Sequence, residues 1–399
     1  MTKSEKSSVG LMQKISYAGR CLPGYCWQRL TRGRPPQQVH VMIALADHFE
    51  PAIVPNDGAA RTPYAEQERR LERWCREYPK LFSEFHDADG RPFVHTYFYP
   101  AEQYDQSHVC RLAEHCHACW GEIEVHLHHG VRTPDSAANT RRQLVEFRDR
   151  LAGEHGCLSY GNGSSQPRYA FVHGNFALAN SNRGNGCGVD SEMQILAETG
   201  CYADMTLPTA PFHWAQTAKM NAIYECGRPL TERAPHREGR HLARGGAVQI
   251  LPIMVQGPLM LDFRAGPGRR FGIDNAALTG RSPATVRRFE TWKRAAISVE
   301  GRPDWVFIKL HCHGMDPRHD EAVLGAPMQQ FLRELVDGAE GRGETLHFVT
   351  AREMVNIIFA ACDGRQGNPG EYRDYVLRRE RTLGAEPRGN RASDEVLKG

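Results

Sequence analysis

Short apolar segments alternate with amphipathic segments along most of this chain, and this alternation limits the folds it can adopt. Seven segments have the length and apolar content of buried strands: VHVMIALAD, PFVHTYFYP, EIEVHLHHG, YAFVHGN, YADMTLP, VQILPIMVQG and DWVFIKLHCHGM. Helical periodicity fills the intervals between them, as over residues 63–85. Strands that alternate with helices form parallel βαβ units. The pattern therefore predicts an α/β protein, and seven or eight such units in one chain favour a (β/α) barrel over an open sheet.

The predicted barrel occupies residues 39–362, with an extension at each end. Residues 1–38 carry seven lysines and arginines against one acidic residue. This basic extension is interpreted as a solvated leader, and contact with an anionic membrane surface is the alternative. Residues 363–399 form a polar C-terminal extension that we expect to be partly disordered.

Composition excludes several classes of protein. A formal net charge of +3 over 399 residues argues against a nucleic-acid binder driven by electrostatics. The chain has no apolar window of the length that a transmembrane helix needs and no apolar run typical of a signal peptide. The 12 cysteines are therefore interpreted as reduced thiols, and we expect a cytoplasmic protein.

The histidines are concentrated where a barrel carries out chemistry. Seven of the 19 lie at or just past the predicted carboxyl ends of strands: His48, His126, His128, His129, His173, His311 and His313. In a (β/α) barrel these ends form the active-site face. Asp47 lies at the same level on the first strand. The placement predicts a catalytic site built from imidazoles and a carboxylate.

The segment EVHLHHG suggests a metal site. His126 and His128 share one face of a strand by its period of two, and His129 lies where the strand ends. Either neighbour can join His126 as a ligand, since neutral imidazole binds zinc and iron. Asp47 would complete a two-histidine, one-carboxylate set with open positions for water and substrate. The alternative is a histidine-rich exposed edge.

The segment KLHCHG repeats the His-x-His pattern on the last of the seven strands. Either His311 or His313 could act as a general acid, because imidazole titrates near neutral pH. Cys312 points to the opposite face and is expected to be packing. The glycine-rich stretches YGNGSS and RGNGCG match neither a phosphate-binding loop nor a dinucleotide fingerprint, and they stay without a role.

Taken in order, these motifs resemble those of the polysaccharide deacetylase family, carbohydrate esterase family 4 and its relatives, from about residue 39 to residue 356. ALADH stands where the family has Thr-Phe-Asp-Asp-Gly, EIEVHLHHG where it has its metal-binding histidines, and FVHGN where it has its Arg-x-Pro motif. YADMTLP is similar to the strand that bears a further aspartate, and FIKLHCHG to the Leu-x-Leu-His motif. The resemblance implies a seven-stranded distorted barrel.

The resemblance also implies residue roles. Asp47 and His126 match metal ligands, and His129 or His128 would supply the second histidine. His311 matches the histidine that protonates the leaving group. The roles of two further residues follow by position: the backbone N–H of Asn175 in an oxyanion hole, and Asp204 as a carboxylate near the substrate or the ligands.

Two departures from the family concern the general base. The family's catalytic aspartate aligns with Ala46, and the arginine that tethers it falls on Val172 or His173. Because both members of one pair are replaced, another group must supply the base. The candidates are His48, Glu50 and His173.

These observations predict a metal-dependent hydrolase, with Zn²⁺ as the expected cofactor, that removes N-acetyl or O-acetyl groups from a sugar, glycan or glycan precursor. Loop arginines would suit an anionic carbohydrate, or else form solvated surface: Arg228, Arg233, Arg237, Arg240, Arg244, Arg264, Arg269 and Arg270. One alternative is an amidohydrolase or phosphoesterase barrel in which the His-x-His pairs bind two metals. Another is an inactive barrel that binds glycan or acts as a scaffold.

Overall fold

A computed structural model describes residues 11–55, 57, 60–263 and 272–379. The strands of this part are β1 (Val39–His48), β2 (His95–Pro100), β3 (Gly121–Leu127), β4 (Ser159–Gly161), β5 (Pro167–His173), β6 (Cys201–Asp204), β7 (Ile223–Cys226), β8 (Gly239–His241), β9 (Ile253–Val255), β10 (Met260–Asp262), β11 (Gly272–Asp274), β12 (Trp305–Cys312), β13 (Glu344–Phe348) and β14 (Leu377–Arg379). The helices are α1 (Leu11–Thr31), α2 (Tyr64–Phe82), α3 (Gln106–His115), α4 (Ala137–Gly153), α5 (Glu192–Thr199), α6 (Val286–Lys293), α7 (Asp320–Val323), α8 (Ala326–Asp337) and α9 (Ala351–Cys362).

A large, mostly parallel sheet organises the fold. Its order is β12-β1-β2-β3-β5-β6-β9-β7-β8, and β13 pairs with the start of β1. All pairs from β12 to β9 are parallel, whereas β7 runs antiparallel to β9 and β8. The α/β class is therefore confirmed. A barrel is not confirmed, because the described pairing leaves β12 at one end of the sheet and β8 at the other.

Apolar side chains cover both faces of strand β1, as expected for a buried parallel strand. Val41, Ile43 and Leu45 belong to a core that includes Trp74 of α2. Met42 and its neighbours on the opposite face belong to a second core with residues of α9. Successive residues of β1 consequently enter different layers of the molecule, and this alternation decides which polar side chains meet at its end.

Several predicted elements differ in extent from the structure. β3 ends at Leu127, so His128 and His129 lie in the following loop. α4 begins after Ser136, whose hydroxyl accepts from the Asn139 N–H, rather than at residues 133–135. The segment VQILPIMVQG forms only the three residues of β9. Arg264, Arg269 and Arg270 lie outside the described residues.

Both predicted extensions contain structured segments. α1 lies within residues 1–38, and Arg32 beyond it donates to Asn221 O at 2.7 Å. At the other end, β14 pairs with β4. Arg373 is buried and contacts Asp87 at 2.6 Å and Asp89 at 3.0 Å. The C-terminal segment is thus held through β14 and Arg373, whereas residues 1–10 and 380–399 lie outside the described part.

None of the described helices combines the length and the apolar character that a bilayer crossing requires.

Candidate metal centre

Three histidines from different strands meet at the carboxyl edge of the sheet. His48 ends β1, His126 is near the end of β3, and His313 directly follows β12. The His48 ring centroid lies 4.9 Å from that of His126 and 4.6 Å from that of His313. The sequence prediction that histidines gather at this edge is therefore supported by the geometry for these three residues.

Glu50 lies two residues past β1 and places its carboxylate among these rings. Its side chain is buried, with the residue 7% exposed. The Oε1 atom lies 3.0 Å from His126 Nε2 and 3.2 Å from His128 Nε2. The same carboxylate also forms a close group with His48 and His313. We call these five residues the Glu50 cluster: His48, Glu50, His126, His128 and His313.

The outer ring nitrogens of two of these histidines face oxygen acceptors. His126 Nδ1 lies 2.9 Å from Val172 O, and His128 Nδ1 lies 2.8 Å from Glu102 Oε1. A carbonyl or carboxylate can only accept, so both Nδ1 atoms carry protons. The Nε2 atom of each ring faces Glu50, to which it donates when protonated and beside which it could bind a metal ion when it is not. Histidine ligands of metal ions are held in this way.

Charge in the Glu50 cluster follows the same contacts. Burial disfavours ionisation of Glu50, but hydrogen bonds with His126 and His128 outweigh it and hold the pKa of the carboxyl well below 4.5. Burial likewise disfavours the charged form of His128, but Glu102 and Glu50 outweigh it and raise its pKa to about 10. Without a metal, an imidazolium therefore supplies the positive charge that these carboxylates require.

Gly174 makes room for the His128 ring. A Cβ atom at position 174 would lie 2.3 Å from His128 Cδ2. Side chains larger than hydrogen at this position would displace the ring from its place beside Glu50. The glycine of the FVHGN segment thus has a steric role.

Asp47 does not join His126, which corrects the predicted ligand set. Its Oδ2 atom lies 3.1 Å from His95 Nδ1, and its Oδ1 atom accepts from the Gly314 N–H at 2.7 Å. Asp47 and His48 are consecutive on β1 and therefore point to opposite faces. The carboxylate beside His126 is Glu50 instead.

Three other predicted site residues lie outside the Glu50 cluster. The Asn175 N–H already donates to His173 Nδ1 at 3.2 Å, which argues against its predicted place in an oxyanion hole. Asp204 accepts from the Thr206 hydroxyl at 2.7 Å, and burial raises its pKa to about 7. His311 is adjacent to the Glu50 cluster, with a buried Nδ1 atom that has no hydrogen-bond partner. Burial and Lys309 hold its pKa well below 6.5.

His129 and His173 belong to a different group. His129 Nε2 lies 2.7 Å from Glu192 Oε1, and the two histidine rings are 5.0 Å apart. Cys187 completes a buried set of four, which we call the Glu192 cluster: His129, His173, Cys187 and Glu192. The predicted alternatives for the second histidine are thereby separated, since His128 and not His129 accompanies His126.

Two of the loop arginines pair with carboxylates inside their own hairpin. Arg228 contacts Glu238, and Arg240 contacts Glu225 at 2.6 Å. Arg237 donates to Ser181 O at 3.2 Å. These contacts account for part of the basic loop without an anionic ligand.

The sequence interpretation missed Glu102, Cys187 and Glu192. Glu102 lies two residues past β2, so the rule applied to histidines at strand ends would have found it if carboxylates had been included. Cys187 and Glu192 lie in a loop and at the start of α5, where strand periodicity gives no signal.

The fold and the two clusters define an α/β protein with buried side-chain groups able to hold metal ions. No family model, curated protein or solved structure matches the chain.

Proposed function

We propose that the chain is a metal-dependent hydrolase of the polysaccharide deacetylase type, on a distorted (β/α) barrel, which removes acetyl groups from an N-acetylated sugar or glycan. One observation carries this proposal: the Nε2 atoms of His126 and His128 converge on the same oxygen of Glu50. Two histidines and one carboxylate leave coordination positions for water and a substrate carbonyl. The motif order of the sequence supports the choice of substrate class.

The chain's own residues supply binding and proton transfer in this proposal. A divalent cation such as Zn²⁺, bound by His126, His128 and Glu50, would polarise the acyl carbonyl and lower the pKa of a water molecule towards ~7. His48 is a base candidate beside the carboxylate. Burial, His313 and His126 hold its pKa well below 6.5, so its ring is neutral and able to accept a proton.

Protonation of the departing amine falls to the β12 histidines. His313 is partly exposed and faces His48, so it can exchange protons with solvent. His311 is the other candidate and lies two residues earlier, within β12. The 12 unpaired cysteines suit a reducing compartment and support the cytoplasmic location that we propose.

The decisive experiment compares two carboxylates of the same short segment. Glu50→Gln should lose the zinc bound at the Glu50 cluster and zinc-dependent acetate release from N-acetylated sugars, because a neutral amide replaces the charged carboxylate that His126 and His128 share. Asp47→Asn is the control, because the sequence motifs favoured Asp47 as the carboxylate ligand, and this variant should retain metal. Full zinc occupancy and acetate release in Glu50→Gln would overturn the proposal. Metal binding by the original chain without acetate release would favour the alternative of an inactive protein that binds glycan or acts as a scaffold.

A two-metal hydrolase is the second candidate, and one observation favours it. His48 and His313 form a second group with Glu50, in which the three residues place ligand atoms within 4.8 Å of one another. Glu50 would then bridge two ions. The number of metal equivalents lost in Glu50→Gln distinguishes the cases, since one equivalent indicates a single-metal site and two indicate a bridged pair.

A further inference from the structure

The Glu192 cluster brings together four donor side chains from four separate segments. His129 follows β3, His173 ends β5, Cys187 lies in a glycine-rich loop, and Glu192 begins α5. All four are buried, and each offers a ligand atom within 4.8 Å of the other three. Imidazole, thiolate and carboxylate are the ligands that zinc prefers.

The outer contacts of His129 leave its inner nitrogen available. His129 Nδ1 lies 3.0 Å from Asp135 Oδ2 and 3.1 Å from the Thr140 hydroxyl. The carboxylate keeps a proton on Nδ1, as in the carboxylate–histidine–zinc arrangement, and Nε2 faces Glu192 at 2.7 Å. His129 is therefore oriented as a ligand by groups outside the cluster.

His173 directs an unsatisfied atom into the same space. Its Nε2 atom is buried without a hydrogen-bond partner, 3.6 Å from Glu192 Oε1. Buried polar atoms are rarely left unpaired, so such an atom indicates a partner that completes the site. A neutral ring that binds a metal through Nε2 keeps its proton on Nδ1. Metal binding by His173 would therefore displace the contact of the Asn175 N–H with Nδ1, at 3.2 Å.

The glycine-rich loop RGNGCG places Cys187 over His129. Gly130 has φ +62°, and a Cβ atom there would lie 1.9 Å from Cys187 O. The Gly186 N–H donates to Gly130 O at 2.9 Å, and the Val189 N–H approaches Cys187 Sγ at 3.4 Å. The motif that sequence analysis left without a role thus holds a sulfur atom against a histidine.

We propose that His129, His173, Cys187 and Glu192 form a structural zinc site, separate from the Glu50 cluster and independent of the proposed hydrolase activity. Four protein ligands close the coordination sphere, as in structural rather than catalytic zinc sites. The Cys187 thiolate and the Glu192 carboxylate balance the charge of Zn²⁺. Binding releases the thiol proton and the second proton of His129, while the His173 proton moves from Nε2 to Nδ1. The ion fastens α5 and the glycine-rich loop to the sheet.

Cobalt provides a probe that distinguishes this site from the Glu50 cluster, which contains no cysteine. The full-length protein loaded with Co²⁺ should show near-ultraviolet thiolate-to-cobalt charge transfer. Cys187→Ser should abolish that band and lower the metal content. Cys201→Ser is the matched control, because Cys201 is buried outside every candidate cluster of the described chain, and this variant should retain the band. A band unchanged in Cys187→Ser, or lost instead in Cys312→Ser beside Asp47, would overturn the assignment.

A second measurement does not depend on folding of the cysteine variants. Zinc X-ray absorption of the Glu50→Gln protein, in which the other cluster is disabled, should detect one sulfur at ~2.3 Å among nitrogen and oxygen ligands. A zinc shell of nitrogen and oxygen alone, or the absence of bound zinc, would refute the site.

Discussion

Substitution of Gly174 by alanine should disable the Glu50 cluster while leaving the fold intact. The added Cβ would lie 2.3 Å from His128 Cδ2 and 2.5 Å from both Cγ and Nε2, whereas carbon atoms in contact stay about 3.5 Å apart. The ring must therefore move by roughly 1 Å. A zinc–nitrogen bond tolerates only about 0.2 Å. His128 would consequently leave the ligand set.

The magnitude follows from comparison with weaker perturbations. Loss of a group that merely orients a ligand lowers metal affinity roughly 10- to 100-fold. Loss of a ligand should cost at least ~100-fold. The metal-free protein should stay folded but lose about 1–3 kcal/mol of stability, because the displaced imidazolium no longer neutralises Glu50.

Zinc competition with a chromogenic chelator measures the affinity, and thermal unfolding with chelator measures the fold. Gly153→Ala is the matched control, since a Cβ at that position in α4 meets no atom within 4 Å. It should bind zinc like the original chain. Wild-type zinc affinity in Gly174→Ala would refute the role of His128 as a ligand and would transfer the site to the His48 side of Glu50.

Three further outcomes are expected. Burial, together with His95, lowers the pKa of His115 to about 3, whereas the unfolded chain binds that proton at about 6.5. The free energy of unfolding should therefore fall as the pH decreases between these values, by up to about 1.4 kcal/mol per pH unit. Urea unfolding of His115→Gln should show a weaker dependence of this free energy on pH. Arg373→Met leaves buried carboxylates unpaired and should lower the free energy of unfolding in denaturant by about 3–5 kcal/mol. The exposed control Arg69→Met should lower it by ~0–1 kcal/mol. Equal losses in the two variants would contradict the role of Arg373 in holding the C-terminal segment. A chelator should lower the thermal unfolding midpoint of the original chain. This decrease should be smaller in Cys187→Ser and unchanged in Cys201→Ser. An identical decrease in both variants would argue against zinc at the Glu192 cluster.

Sequence periodicity predicted the strands but not which face of each strand lines the site. Alternating polarity marks the two faces of a strand only when one of them meets water. The period of two separates Asp47 from His48, but β1 is apolar on both sides, so nothing in VHVMIALADH indicates which of the two faces His126. Alignment with family motifs favoured Asp47, whereas the structure favours Glu50, which lies beyond the strand.

The positions of loop residues depend on contacts that no local pattern records. His128 is oriented by Glu102, which is 26 residues earlier, and His129 faces Glu192, which is 63 residues later. Both partners are acidic residues of ordinary appearance in the sequence. Imidazoles were found because they are rare and gather at strand ends, whereas the carboxylates that orient them are common throughout the chain.

The pairing of β1 with two strands from late in the chain has a consequence for biosynthesis. Its neighbours β12 and β13 begin more than 250 residues after β1 ends. At ~5–20 residues per second, a ribosome needs roughly 13–50 s to supply the first of them. During that interval one edge of a nearly all-apolar strand has no native partner and can pair with other chains. Expression of this protein should therefore benefit from slower initiation and from chaperones that shield the nascent N-terminal half.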